Sequence, residues 1–451
     1  MDITKTLADY VVSTKNEEIN EQTLHEAKRC LLDWLGVALG GSTHKGVDII
    51  LQTADVVGHS NDASVVGRNA KIDMLHAAYV NGFMSHVLDY DDTHLDSFVH
   101  PSAPVWPAIV ALAEKENVTG KEALQAFILG FEVETRIGRV LFRKHEERGW
   151  HMSGMAGGFG SAASAGRILG LTVEQMQQAF GIAATYASGL RSMFGTMTKS
   201  AHPGKAAMSG LYAALLVKSG FTSAMDVLEH PRGYFAVNAD ESDLEDVIIG
   251  LGEGFEITNN SVKPYPCGVV THPVIDAAIA LHPKYQQQVG KVKHIIAEVN
   301  QMVPDVTGKT NPRTGLEGKF SVFHCAAVGL KAGRCGPDQF TDKRVCDPEI
   351  RMLREKIILQ VNPKYKEYEA KLTLVFNDKE TIVYHVPFAS GTVFNPLSDK
   401  QIEEKYHAMA KKVIGESHSN ILANSVWNVE ESHSFKDIIA LSNGNGGLEG
   451  S

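Results

Sequence analysis

No apolar run in the sequence approaches the roughly 18 residues that a membrane-spanning helix needs. The opening residues, Met1-Asp2-Ile3-Thr4-Lys5, also lack the basic segment and apolar core of a secretion signal. Both absences lead us to expect a cytoplasmic protein with no membrane partner. Cysteine is scarce and badly spaced for structural use: Cys30, Cys267, Cys325, Cys335 and Cys346 are odd in number and contain no C-x-x-C pair. That argues against a disulfide framework, a zinc ribbon and an iron–sulfur centre, and leaves reduced thiols as the expectation. Positive charge is not in excess either. With 43 Lys plus Arg against 53 Asp plus Glu the net charge is −10, which argues against a nucleic-acid partner. What the chain does have is ordinary globular composition, 43% hydrophobic and 21% charged over 451 residues, enough for two or three folding units.

Apolar residues recur at three- and four-residue spacing through most of the first half. In Leu24–Gly41, for instance, Leu24, Ala27, Leu31, Leu32 and Leu35 share one face and Gly40-Gly41 ends the run. The same periodicity predicts helices over Ile72–Asp89, Ala103–Glu116, Lys121–Leu141, Val173–Leu190 and Gly204–Ser219. The pattern changes after Pro264-Tyr265-Pro266. Lys291–Asn300 and Lys356–Val361 read as strands, and Lys371–Phe376 with Thr381–Val386 reads as a hairpin turning at Asn377-Asp378. Helical spacing returns over Asp399–Ile414 and Ser434–Leu441. The expected fold class is therefore mainly α: a large all-helical domain over residues 1–265, with 395–451 packing back on it, and a smaller α+β domain over 268–394. The Gly-rich tail from Asn443 is expected to be disordered, with Leu448-Glu449-Gly450-Ser451 as a cloning remnant. There is no internal repeat.

Four polar clusters carry potential chemistry. The densest is Asp89-Tyr90-Asp91-Asp92-Thr93-His94, followed by His100. If the preceding helix continues, Asp89, Asp92 and Thr93 share a face, where a carboxylate can orient a histidine for proton transfer. The same residues also suit a plain link between two helices. Asp91, Asp92, His94 and His100 would suit a divalent ion, but no established ligand spacing supports that choice, and no metal is expected. The second cluster, Gly195 to Lys205, gathers Lys199, His202 and Lys205 before a helix expected to begin at Gly204, a favourable setting for a carboxylate. It lacks the form of a phosphate loop, and it also reads as a solvated helix start. His151 precedes a Gly- and Ala-rich helix, where a core or capping histidine is the usual reading. Finally, Lys263 and His272 mark the junction between the two expected domains, where ligand clefts tend to form, although Thr271-His272-Pro273 also suits a helix start.

Taken in order, LLDWLGVALGG, HVLDYDDTH with VHPS, RGWHMSG, TMTKSAHPGKAA, KPYPC with THP, and GKFSVFHCAA resemble the MmgE/PrpD family over almost the whole chain. That family includes 2-methylcitrate dehydratase, cis-aconitate decarboxylase and iminodisuccinate epimerase. The resemblance implies a helical domain with an α+β lid, a homodimer, and neither metal nor cofactor. It matches pocket residues to Asp89, Thr93, His100, His151, Lys199 and Lys263, with His272 in a nearby block and His324 where some members have Tyr. On this basis His100 is expected to donate or accept the proton, with Asp89 orienting its neighbours. Lys199, Lys263 and His151 are expected to hold carboxylate and developing charge, and Thr93 to position the substrate. The function so implied is a cofactor-independent lyase, a dehydratase or decarboxylase, of a small di- or tricarboxylate. An epimerase or racemase of a similar acid is the alternative, and a non-catalytic binding protein, suggested by His324, is the third reading.

Overall fold

The computed structural model of the protein describes residues 2–239 and 241–446. The fold is mainly α with a smaller α+β part, as the periodicity predicts. Most expected helices form, with ends set by local chemistry. The second begins at Met74 because the Asp73 side chain accepts from the amides of Leu75 and His76, and it stops at Val87, since Asp89 takes a left-handed φ of 50°. The predicted end at Asp89 is therefore two residues too late, and the shared face that Asp89, Asp92 and Thr93 would have had if the helix continued does not form. Val173–Tyr186 is shorter than expected and is opened by a Thr172–Gln175 capping box. The largest correction is Met197–Lys218, which starts seven residues before Gly204 and runs through Pro203. The proline reads as a helix start, yet the helix continues across it, so Lys199 sits in the first turn.

Two large hydrophobic cores form among the described residues, with a small cluster of Val37, Tyr90 and Met409 beside them. The first draws on residues from Ile3 to Val262 and again from Leu397 to Ile439, centred on Trp34, Trp106, Phe127 and Tyr406. The second lies within Cys267–Val386. It is built on a four-stranded sheet in the order Ile357–Val361, Val292–Val299, Ala370–Phe376, Thr381–Val386. The first two strands are parallel and the remaining neighbours antiparallel. Ala370–Phe376 alternates buried and half-buried positions, the period-2 signature of a strand with one face on a core. The helices His272–Gln287 and Val322–Ala332 pack together within this core.

Three contacts set up the site. Gly82 and Gly204 let the Met74–Val87 and Met197–Lys218 helices touch along their backbones; a Cβ on Gly204 would lie 2.3 Å from the Tyr79 carbonyl oxygen. Thr93–His94 pairs antiparallel with Asn260–Ser261, which brings Lys263 to the Asp89 loop. The buried Lys319 Nζ donates to the carbonyls of Leu88 and Pro266 at 2.5 and 2.9 Å, tying the two cores together beside that loop. At the C-terminus Leu441–Gly446 form a 3-10 turn, which corrects the expected disorder from Asn443, while 447–451 lie outside the described residues. Among the described residues no helix is long and apolar enough to cross a membrane.

Candidate active site

A cavity between the two cores is lined by Asp89, Thr93, His100, His151, Lys199 and Lys263, together with Arg191 and an apolar wall that includes Phe98, Trp150, Phe194, Val270 and Phe320. Six residues matched by motif thus meet in one place. The loop conformation at Asp89 turns its carboxylate inward, and its Oδ1 accepts from Lys199 Nζ at 2.8 Å and from Lys263 Nζ at 3.1 Å. Oδ2 is buried with no partner. Burial alone would raise this carboxyl, but the two ammonium groups hold it well below the usual carboxylate range. Lys199 is shifted the other way: burial pushes it below its ordinary value against the pull of Asp89. One carboxylate therefore faces two ammonium groups, and that triad keeps one uncompensated positive charge for an anionic ligand. Arg191 adds a third cation, with no carboxylate paired to it among the described residues.

His100 is held by its backbone and by one ring nitrogen. Its amide donates to Ser153 Oγ at 2.9 Å, and its Nδ1 donates to the Asp92 carbonyl at 2.8 Å, with Thr93 Oγ1 at 3.2 Å. A carbonyl only accepts, so Nδ1 carries the proton and the neutral ring presents the Nε2 lone pair. Burial, reinforced by Lys263 and opposed by Asp91, sets the imidazole well below its ordinary pKa. Asp91 Oδ2 lies 2.7 Å from His86 Nδ1 and 3.5 Å from His100 Nδ1, so one carboxylate serves two imidazoles. His151 closes this side through an Nδ1 contact of 2.9 Å with His202 Nδ1. Burial, then Lys199, lowers the His151 pKa. The strand-like bridge Trp150↔Leu190 places His151 and Arg191 on adjacent segments.

Four expected ligand-binding residues do not line this cavity. His202 stands behind His151, and burial lowers its pKa to about 4. Lys205 donates to the carbonyls of Tyr186 and Ser188, closing off a helix end instead of meeting a substrate. His272 is buried in the second core with its ring edge-on to Tyr265 at 5.4 Å and its Nε2 unpartnered. His324 donates from Nε2 to the Gln339 carbonyl at 2.8 Å within the second core and does not reach the cavity, which Phe320, just before this helix, lines. The set Asp91, Asp92, His94 and His100 also separates. Asp92 accepts from Ser102 and Asn260, and His94 faces Glu256 at 3.3 Å and Ser97 at 2.9 Å. Sequence reasoning missed Arg191, Phe194 and His86. His86 lies in an apolar helical run where a histidine reads as core, and Arg191 lies in a Gly- and Ser-rich link with no neighbouring charge pattern.

The sequence pattern of the MmgE/PrpD N-terminal domain matches residues 5–246, and that of the MmgE/PrpD C-terminal domain matches residues 265–431. The chain belongs to the MmgE/PrpD family. A cis-aconitate decarboxylase-like protein of Aspergillus oryzae is 27% identical, with 98% of this chain and 97% of the relative aligned. Cis-aconitate decarboxylase of Homo sapiens is 27% identical over 95% of this chain and 92% of its own. 2-Methylcitrate dehydratase of Escherichia coli is 26% identical over 80% and 77%. Decarboxylases and dehydratases are both lyases. No epimerase stands among these MmgE/PrpD relatives, so the epimerase alternative is not carried forward.

Proposed function

We propose that this MmgE/PrpD protein is a lyase of a small tricarboxylate, such as cis-aconitate or 2-methylcitrate, and that the cavity around Asp89 and His100 is its active site. The observation that carries the reading is the Asp89–Lys199–Lys263 triad set 2.8 and 3.1 Å apart beside a histidine whose free nitrogen is unprotonated. Several carboxylates need several cations: Lys199 and Lys263 supply them in a buried setting where each contact is stronger than in water, and the half-buried Arg191 adds a third at the cavity.

In a dehydration, a base removes the proton on carbon next to a carboxylate while hydroxide leaves the neighbouring carbon as water. In a decarboxylation, the electron pair of the C–CO2 bond moves into the carbon skeleton and a proton is delivered to carbon. Either route needs one group that moves a proton and cations that stabilise the enolate-like charge. His100 Nε2 takes the first role, as the base of a dehydration or, once it has taken up a proton from solvent, as the acid of a decarboxylation, with Asp91 and the Asp92 carbonyl fixing its ring. Lys199, Lys263 and Arg191 take the second, Asp89 holds both ammonium groups in place, His151 supports developing charge, and Thr93 orients the substrate.

Residues 268–394 act in this reading as a lid over a helical body formed by 1–265 and 395–451, because the cavity draws Val270 and Phe320 from one side and Asp89, His100 and Lys199 from the other. A homodimer that turns over without metal or cofactor completes it, on the strength of the family resemblance. The test is incubation with cis-aconitate, 2-methylcitrate, citrate and iminodisuccinate, followed by NMR. New olefinic signals or released carbon dioxide are expected from at least one of the first three. Deuterium exchange at a stereocentre without elimination would overturn the lyase reading.

A further inference from the structure

We infer that His86, His100 and His151 form a binding site for one divalent transition-metal ion of the Zn2+ class, and that an ion held there excludes the carboxylate substrate. One ring nitrogen from each histidine lies within 4.8 Å of the other two. The ring centroids are 4.6, 5.5 and 6.2 Å apart, with each ring inclined to its neighbours. Three imidazoles on one ion at the usual metal–nitrogen distance of about 2.0–2.1 Å require a cluster of this size.

The hydrogen bonds decide which nitrogens remain for a ligand. His86 Nδ1 meets the Asp91 carboxylate, His100 Nδ1 meets the Asp92 carbonyl, and His151 Nδ1 meets His202. Every Nδ1 is thus engaged, so an ion takes the Nε2 atoms or displaces one of these Nδ1 contacts. An imidazole oriented through one nitrogen by a carboxylate or carbonyl, with the other nitrogen free, is the usual arrangement of a metal-binding histidine. His86 supplies an independent sign. Its Nε2 is fully buried and has no hydrogen-bond partner, so a lone pair is kept from water with nothing to accept it. Burial also favours the neutral ring in all three, the form that ligates.

The donor set selects the ion. Three imidazoles suit Zn2+, Co2+, Ni2+ or Cu2+ and not Mg2+ or Ca2+, which take oxygen ligands. Asp91 contributes negative charge behind the ligands, and Asp89 offsets one of the two ammonium charges of Lys199 and Lys263 nearby. That the ion inhibits rests on the function proposed above, because it would occupy the His100 lone pair needed for proton transfer. That the ion binds does not rest on it.

The experiment uses the full chain, freed of metal by chelation and titrated with Co2+, a coloured substitute for Zn2+. One Co2+ per chain, with the intense visible absorption of a four-coordinate ion and its loss on adding Zn2+, is expected. Asp91→Asn should weaken binding about 10- to 100-fold, the usual effect of removing such a supporting carboxylate. His86→Gln should abolish it, and Cys325→Ser, which alters the buried lid thiols, should not. Cadmium-113 NMR of the unaltered protein checks the donor type without any variant: a shift in the nitrogen and oxygen range supports the site. A sulfur-range shift, absent stoichiometric binding, or binding that survives in a folded His86→Gln protein would overturn it. cis-Aconitate should weaken Co2+ binding, and Zn2+ should suppress turnover. Activation by Zn2+ would overturn the exclusion, and a protein with no turnover would leave the Co2+ result to stand or fall by itself.

Discussion

Lys199 Nζ donates to Asp89 Oδ1 at 2.8 Å although 110 residues separate them, and Lys263 Nζ shares the same oxygen. All three side chains are nearly inaccessible to water. Asp89→Ala would leave two buried ammonium groups without their counter-charge. Removing one member of a buried ion pair costs about 3–5 kcal/mol. A clear drop in melting temperature is therefore expected by calorimetry. An unchanged melting temperature would mean the triad is solvated and bears little on the fold.

Lys199→Met removes one donor and keeps the Asp89–Lys263 contact. Its cost should appear in substrate binding as well as in the chemical step, so KM should rise while kcat falls, and circular dichroism should match the wild type. A KM equal to that of the wild type would remove Lys199 from the carboxylate-binding set.

The helical body and the four-stranded sheet were readable from periodicity, since Leu31 and Leu35 on one helix face, or Leu372 and Leu374 on one strand face, repeat often enough to show a period. The site was readable in part. Asp89, His100, His151, Lys199 and Lys263 stand in motifs, but what joins them does not. The Thr93–His94 and Asn260–Ser261 strands are two residues each, too short for any period. Pro203 disguises the true start at Met197. Lys205 and His324 carry the right chemistry on faces that turn toward backbone carbonyls, and only the packing of neighbouring helices decides that.

The Gly82–Gly204 contact makes a prediction of its own. Gly204→Ala puts a methyl group 2.3 Å from the Tyr79 carbonyl oxygen, a distance real side chains do not adopt, so the two helices must part. Overpacking of this kind costs about 1–3 kcal/mol, and because it displaces Lys199 from Asp89, activity should fall with stability. Urea unfolding and kinetics on the same sample check both; full activity at wild-type stability would show that the helix spacing is not critical.

Acid should destabilise the fold through its buried histidines, an effect that Asp92, raised by burial to about 7, offsets only in part. Burial lowers His202 and His324 from an ordinary 6.5 to about 4. The unfolded chain takes up protons near pH 6.5 that the folded chain refuses until about pH 4, so stability is full above 6.5 and declines as pH falls through that window. Unfolding midpoints measured between pH 8 and pH 4 should decrease below 6.5. A flat profile down to pH 4 would contradict the assigned neutral state of these buried rings.

Turnover should survive exhaustive EDTA treatment, because the proposed chemistry uses only side chains. Loss of activity restored by one divalent ion would reverse the roles given to His100 and to the three-histidine cluster.

The most direct test of the account is the steady-state kinetics of His100→Ala on whichever tricarboxylate the wild type converts, with circular dichroism and melting recorded in parallel. Removing a positioned general acid or base lowers the rate by about two to four orders of magnitude. The account expects kcat to fall by that much in a protein with wild-type dichroism and melting. A kcat within a few-fold of the wild type would contradict it and move the proton-transfer step to another residue.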